Sequence, residues 1–189
     1  MFKKAIATTF LLGISVNTVF ASELQDKQII MKLMNNYINA VACATSKVQI
    51  NNIVSIFPPE EDYTGSTYYV LWSGDKGCEG GSGTMSSYIS EVSRYSSSRP
   101  FLVNTDDALG DNNEKSWTNG TSFTNYRFIE SIKNKNNSLE VISWNYADDK
   151  FGGKDGGNNF PANKFRYTLK NVDGEGWKLV DQVLLEQNK

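Results

Sequence analysis

Apolar and polar positions along the chain separate an N-terminal helix from a long series of short strands. Between Leu24 and Ala44, apolar side chains recur every three or four residues, which predicts an amphipathic helix. The apolar stripe consists of Ile29, Ile30, Leu33, Met34, Tyr37, Ile38 and Val41. A helix that lies on a membrane carries more Lys and Arg on its polar face, so we expect this stripe to pack against the rest of the domain.

The segments after the helix are rich in β-branched and aromatic residues and are separated by Gly, Asn and Asp. Residues 67–72 (TYYVLW) are apolar on both faces, which predicts a central, covered strand. Residues 84–92 (TMSSYISEV) fit a helix or a strand, and their Ser, Thr, Tyr and Ile content favours a strand. Further strands are predicted at 99–105, 125–132, 138–147, 164–170 and 177–185.

One helix followed by six to seven antiparallel strands predicts an α+β fold, with the helix packed on a curved sheet. The closing hairpin turns at DGEG (173–176), and Trp177 opens its final strand. This hairpin and the order of elements resemble cystatin-like and nuclear-transport-factor-like cone-shaped folds. The resemblance implies a helix resting on a bent sheet, and it carries over no site residues because those folds host enzymes, carriers and inhibitors alike.

The first 21 residues have the pattern of a secretory signal peptide. MFKK gives a basic start, residues 5–19 form an apolar run, and Val19 and Ala21 are suited to positions −3 and −1 of a cleavage site. The run is shorter than the about 20 residues that span a membrane. We therefore expect cleavage near Ala21/Ser22, no membrane insertion afterwards, a periplasmic or secreted location, and a single globular domain over residues 22–189.

Charge and composition narrow the function. The formal net charge is −2 and becomes −4 once Lys3 and Lys4 leave with the signal peptide, and no basic run remains to bind nucleic acid. The chain contains no histidine, which excludes Ser/His/Asp and Cys/His catalysis and the commonest ligand of transition metals. We therefore expect a protein that is not an enzyme and that uses no cofactor or metal.

Carboxylates leave two alternatives open. Acidic loops at 106–114 and 148–155 contain the oxygen ligands that calcium prefers, although such Gly- and Asn-rich loops are more often solvated connections. A pair of carboxylates also suffices for glycoside hydrolysis. Candidates for an envelope hydrolase are Glu130 with Asp148 or Asp149.

Two cysteines, Cys43 and Cys78, remain in an exported chain, which predicts a disulfide rather than two buried thiols or a zinc site. Cys78 lies in GDKGCEGGSG (74–83), which contains five glycines but lacks the GxxxxGK[ST] pattern and leads into a predicted strand. A phosphate cradle needs a helix N terminus there. The motif therefore predicts a long hairpin loop held by the disulfide near the end of the N-terminal helix.

These observations favour an exported, non-enzymatic binding protein that inhibits or neutralises a protein partner in the cell envelope, as a periplasmic inhibitor or an immunity protein does. Periplasmic lysozyme inhibitors present a loop containing Ser, Gly and Tyr, and Ser82, Gly83 and Tyr88 resemble that loop. The candidate binding loop is Glu79, Ser82, Gly83 and Tyr88. Aromatic residues in polar loops supply candidate exposed anchors, since Tyr and Trp are frequent contact residues; these are Tyr63, Tyr95 and Trp117.

The alternative function is a small-ligand carrier with a pocket between the helix and the sheet. Four aromatic side chains are candidates for lining that pocket: Tyr37, Trp72, Trp144 and Tyr146.

Overall fold

A computed structural model of the chain describes residues 15–56, 65–81, 83–110, 128–145, 163–173 and 175–187. These residues form one α-helix, a short 3-10 turn (Ile50–Asn52) and nine strands. The elements are α1 (Ser15–Val41), β1 (Ala42–Cys43), β2 (Ile53–Ser55), β3 (Ser66–Lys76), β4 (Ser86–Arg94), β5 (Leu102–Thr105), β6 (Ile129–Lys135), β7 (Ser138–Asn145), β8 (Asn163–Val172) and β9 (Gly176–Gln187).

The strands form two antiparallel sheets. Sheet 1 has the order β1-β3-β4-β5, and β2 pairs with β3 as well. β3 is its central strand, buried from Tyr68 to Trp72, which confirms the prediction for TYYVLW. The ambiguous segment after it is strand β4, because it pairs along its whole length with β3. Sheet 2 has the order β6-β7-β8-β9, and its last two strands form the predicted closing hairpin.

Alternation along β3 divides the core into two layers. Tyr68, Val70 and Trp72 face α1, whereas Tyr69 and Leu71 face sheet 2, as the two-residue period of a strand requires. The layer between α1 and sheet 1 contains Ile30, Met34, Ile38, Ala42, Val48, Ile53, Tyr68, Val70, Trp72, Val92 and Phe101. The layer between the sheets contains Val54, Tyr69, Leu71, Ile89, Leu109, Ile129, Ile132, Leu139, Val141, Phe165, Tyr167, Leu169 and Trp177.

The fold is α+β as predicted, but the prediction of one sheet with six to seven strands is wrong. Nine described strands in two sheets take its place. β1 and β2 contain only two and three residues, too few to show a hydrophobic period. β3 is buried on both faces because α1 covers one side and sheet 2 covers the other. The cystatin-like or nuclear-transport-factor-like arrangement is not confirmed.

α1 also begins at Ser15 rather than Leu24 and ends at Val41. Its end coincides with the start of β1, where Ala42 and Cys43 pair with Lys76 and Asp75 of β3. Three helix residues of the predicted stripe are almost fully buried: Ile30, Met34 and Ile38.

Candidate functional site

The glycine-rich motif reaches from the end of β3 into the loop before β4. Gly74 to Lys76 complete β3, and residues 77–81 and 83–85 belong to the loop. The φ angles of Gly77, Cys78, Gly80 and Gly81 are all positive, from 57° at Cys78 to 133° at Gly81. Glycine adopts such angles without the steric cost that a Cβ brings. The backbone path therefore accounts for Gly77, Gly80 and Gly81. The loop leads into a strand rather than a phosphate-binding helix.

Three contacts fasten this loop to the body of the protein. The predicted Cys43–Cys78 disulfide is present and joins β1 to the loop. The Gly77 N–H donates to the Val41 carbonyl at 3.0 Å, at the end of α1. The Gly80 N–H donates to Oδ2 of the buried Asp75 at 2.9 Å. The loop is thus held to α1, β1 and β3 while Glu79 and Gly83 are exposed.

A polar cluster centred on Asp106 lies at the same end of sheet 1. Asp106 directly follows β5 and accepts hydrogen bonds from the Tyr37 hydroxyl at 2.9 Å, Lys76 Nζ at 2.8 Å and the Ser90 hydroxyl at 3.1 Å. Only 9% of the Asp106 side chain is exposed. We call Tyr37, Lys76, Ser90 and Asp106 the Asp106 cluster, and it connects α1, β3 and β4 through one carboxylate.

Two stacked aromatic rings adjoin the cluster. The rings of Trp72 and Tyr88 lie 4.4 Å apart at 24°, and the Trp72 indole N–H donates to the Ser90 hydroxyl at 2.7 Å. Lys76 Nζ lies 5.7 Å from the centre of the Tyr88 ring. Trp72 is buried and Tyr88 is partly exposed. Tyr88 is therefore a partly exposed aromatic beside the loop, stacked on Trp72 and packed against the core layer between α1 and sheet 1.

Two groups of the cluster, Tyr37 and Lys76, have pKa values above their ordinary ones. Burial, followed by the hydrogen bond and charge of Asp106, raises the pKa of Tyr37 above 10.0. The hydrogen bond from Lys76 to Asp106 raises the pKa of Lys76 above 10.5, although burial opposes it. Tyr37 stays a neutral donor and Lys76 stays a cation, so neither group is poised for proton transfer near pH 7.

The structure places three of the predicted contact residues at one end of the β3–β4 hairpin and a fourth at the other end. Glu79, Gly83 and Tyr88 lie at the loop end of the β3–β4 hairpin. Tyr95 follows β4 at the other end of this hairpin and is 86% exposed. Three predicted residues lie outside the described parts of the chain: Tyr63, Ser82 and Trp117.

Sequence reasoning missed the roles of Lys76, Ser90 and Asp106. The sequence predicts that Asp106 lies in a solvated acidic loop, with calcium binding as the alternative, whereas its carboxylate accepts hydrogen bonds from three donors. For Tyr37 the sequence predicts a place in the helix stripe and, as an alternative, a role in lining a ligand pocket, not a contact with Asp106. Tyr37 and Asp106 are 69 positions apart, and no spacing rule connects them. Only the tertiary fold brings them together.

The space between α1 and sheet 1 is filled by side chains in the described structure, since Met34, Ile38 and Trp72 are at most 3% exposed. Trp144, one of the aromatics predicted to line a pocket there, instead faces outward from β7 in sheet 2. Tyr146 lies outside the described residues. These contacts do not favour a ligand pocket at that interface.

A surface cleft of about 570 Å³ lies between Glu23 and Lys27 of α1 and the strands β2 and β6. Part of its polar lining is already paired: Glu23 accepts from Lys27 at 2.8 Å and from the Ser55 hydroxyl at 3.0 Å. The Asn134 amide donates to the Ser55 carbonyl at 2.7 Å. Lys133 also lines the cleft. The other charged groups of the lining are paired with each other, so the cleft offers few further polar groups for orienting a ligand.

The described residues contain no group of three or more Cys, Asp or Glu side chains able to hold a metal ion, and no described helix is long and apolar enough to cross a membrane. They define an α+β protein with one helix and two antiparallel sheets. Comparison with known proteins finds no matching family model, curated protein or solved structure.

Proposed function

We propose that the chain is an exported, non-enzymatic binding protein that inhibits or neutralises a protein partner of the cell envelope. In this proposal the signal peptide is removed near Ala21/Ser22 and the processed protein acts in the periplasm or outside the cell. The binding surface is the β3–β4 loop together with Tyr88. The resemblance to the loop of periplasmic lysozyme inhibitors falls in part on this surface, at Gly83 and Tyr88.

The observation that carries the proposal is an exposed loop with several fixed attachments. The Cys43–Cys78 disulfide and the hydrogen bonds of Gly77 and Gly80 restrict its backbone before any partner arrives. Ordering a flexible loop on binding costs conformational entropy, and a loop that is already ordered avoids most of this cost. Such restraint of an exposed segment is what a rigid inhibitory loop requires.

The neighbouring side chains suit a contact surface. Tyr88 presents a partly exposed ring stacked on Trp72, and a rigid Tyr supplies contact area at low entropic cost. Glu79 gives the loop an exposed negative charge. A partner with a basic or hydrogen-bond-donating cleft therefore fits this surface best.

The test is capture of partners by the processed protein, immobilised and exposed to envelope and culture extracts, with Glu79→Lys as the loop variant. Glu175→Lys is the matched control because it makes the same charge change at an exposed turn between β8 and β9. We expect a captured protein whose affinity, measured by calorimetry, falls about tenfold or more with Glu79→Lys. Glu175→Lys is expected to leave this affinity unchanged.

Failure to capture any protein at micromolar concentration would count against the proposal. So would a partner that binds wild type and Glu79→Lys equally well, because the contact surface would then lie elsewhere. Reduction of the disulfide supplies a second readout: a partner that recognises the restrained loop is expected to bind the reduced protein more weakly.

The alternatives receive less support. A ligand carrier needs a pocket between α1 and the sheet, where the described side chains are packed together. For a hydrolase, Glu130 is poorly suited to the general-acid role. Burial raises its pKa, but the hydrogen bonds from Lys164 and Trp144 outweigh burial and hold the pKa below 4.5. Asp148 and Asp149 lie outside the described residues.

A further inference from the structure

The outward side of sheet 2 carries a dense array of charged side chains. Buried and outward residues alternate along β7 and β8, and the register of β6 and β9 assigns their outward residues to the same side. We call this side the outer face; sheet 1 and α1 lie beyond the opposite side. Its cations are Lys133, Lys135, Lys164, Arg166, Lys170 and Lys178, and its carboxylates are Glu130, Glu140, Asp181 and Glu186.

The outer face is positive in a negative protein. Six cations and four carboxylates give it a formal charge of +2, whereas the whole chain has −2, so the remaining residues carry −4. Lys133 and Lys170 form no ion pair with any described residue. Lys170 lies directly opposite Lys178 in the β8–β9 register, and Lys178 is paired with Glu175 of the adjoining turn at 3.6 Å. An anionic ligand would supply Lys170 with the counter-charge that no described residue provides.

Trp144 gives the outer face a fixed aromatic ring. It belongs to neither core cluster of the described residues. Its indole N–H donates to Glu130 Oε1 at 2.7 Å, and the other oxygen of Glu130 pairs with Lys164 Nζ at 2.6 Å. Lys164 Nζ also lies 5.4 Å from the centre of the Trp144 ring. Two side chains thus orient a tryptophan that does not contribute to the core.

We propose that the outer face binds an acidic polysaccharide. The face of a sugar ring stacks on the Trp144 indole, and the carboxylates or sulfates of the chain pair with Lys133 and Lys170. Outward residues recur about 7 Å apart along a strand and about 4.8 Å apart between strands, so the cations are spread over a broad surface. This spacing suits a polymer with separated charges.

The carboxylates of the outer face distinguish glycans from nucleic acid. Glu130 and Glu140 lie among the cations, and their oxygens accept hydrogen bonds from sugar hydroxyls. A DNA duplex has one negative charge per about 1.7 Å of its axis, so its phosphates would approach these carboxylates closely. The mixture of charges therefore favours a hydroxyl-rich, sparsely charged polymer.

The experiment measures binding of the processed protein to polygalacturonate as an acidic glycan, with dextran as the uncharged glycan and duplex DNA as the other polyanion. We expect binding to polygalacturonate alone, weakening as salt screens the charges. The double variant K133E/K170E should weaken it about tenfold or more. K32E/K47E is the matched control: it makes the same charge change at two exposed residues outside sheet 2 and should bind normally.

Trp144→Phe tests the aromatic ring separately. It keeps every charge and is expected to weaken binding several-fold, with loss of the fluorescence change that the wild type shows on addition of polygalacturonate. Circular dichroism spectra confirm that each variant is folded. Glu79→Lys in the β3–β4 loop should bind polygalacturonate like the wild type, which separates this proposal from the proposed function.

Three results would overturn the proposal: no binding to polygalacturonate at low salt, binding that K133E/K170E leaves intact, or equal binding of duplex DNA. The last result would identify a general polyanion surface instead of a glycan site.

Discussion

Asp26 places a carboxylate in the interface between α1 and sheet 1, where only 6% of the residue is exposed. Arg94 Nη2 pairs with it at 2.6 Å, and the Tyr68 hydroxyl donates to it at 3.1 Å. The Arg94 guanidinium lies 4.5 Å from the centre of the Phe101 ring. One acidic residue on the helix therefore supplies the counter-charge of Arg94 and accepts the hydrogen bond of the buried Tyr68 hydroxyl, while Arg94 Nε has no hydrogen-bond partner among the described residues.

Asp26→Ala is expected to destabilise the protein by about 3–5 kcal/mol, because it leaves Arg94 buried without its counter-charge. Tyr68→Phe removes only one hydrogen bond from the same site and should cost about 0.5–1.5 kcal/mol. Urea unfolding of both variants and the wild type measures the difference. Equal stability of Asp26→Ala and Tyr68→Phe would show that the ion pair contributes nothing beyond the hydroxyl contact.

At the scale of elements, the β3–β4 hairpin and the end of α1 form one unit. The disulfide joins residues 35 positions apart, and β1 pairs with the end of β3 just beside it. Because β1 is only two residues long, its pairing needs a further restraint to hold the loop. The disulfide supplies that restraint.

Replacing Cys43 and Cys78 together by Ser is expected to lower the free energy of unfolding by about 3–4 kcal/mol, since the cross-link restricts the unfolded chain. The urea midpoint of the double variant, compared with that of the oxidised and the chemically reduced wild type, measures this effect. Reduced wild type and double variant should agree. An unchanged midpoint in both would mean that the disulfide does not stabilise the fold.

At the scale of the whole molecule, the two core layers contain adjacent tyrosines of β3 that face opposite ways. Burial, with the charge of Asp26 next, raises the pKa of Tyr68 above its ordinary 10.0. Burial and the charge of Glu91 raise the pKa of Tyr69 to about 12, although a hydrogen bond with Asn171 opposes them. Both core layers therefore depend on neutral phenols.

The unfolded chain releases these phenol protons near pH 10.0, whereas the folded chain retains them. Stability is therefore complete below pH 10 and is lost as the pH rises toward about 12, the folded pKa of Tyr69. Between pH 10 and pH 12, the free energy of unfolding of Tyr69→Phe should fall by about 2–3 kcal/mol less than that of the wild type. Urea unfolding over this pH range measures it, and Tyr95→Phe at an 86% exposed site is the control. If the free energy of unfolding fell equally with pH in the wild type and in Tyr69→Phe, the expectation would be contradicted.

Much of the architecture was predictable because its signals are local. The helix stripe contains Ile30, Met34 and Ile38 at helical spacing, and all three are buried. Alternation in residues 164–170 predicted β8, whose Phe165 and Tyr167 face the core. β1 and β2 escaped prediction because two or three residues carry no period. The ambiguous segment 84–92 was assigned correctly from composition, and pairing with β3 is what makes it a strand.

The candidate site was predictable only in part. Cysteine count and an expected export were enough to predict the Cys43–Cys78 bond, and the glycines predicted a loop at the right place. The Asp106 cluster was not predictable, because its members come from α1, β3, β4 and the end of β5. Their contacts depend on how these elements pack.

Residue type and local spacing are sufficient to predict the helix, most of the strands, the disulfide and the absence of histidine chemistry. The division of the strands into two sheets, with β3 covered on both sides, depends instead on tertiary packing. The same packing pairs Asp26 with Arg94 and places three hydrogen-bond donors around Asp106. It also leaves Trp144 on the outer face, in contact with Glu130. Contacts between distant residues depend on the packing of whole elements, which local patterns do not record.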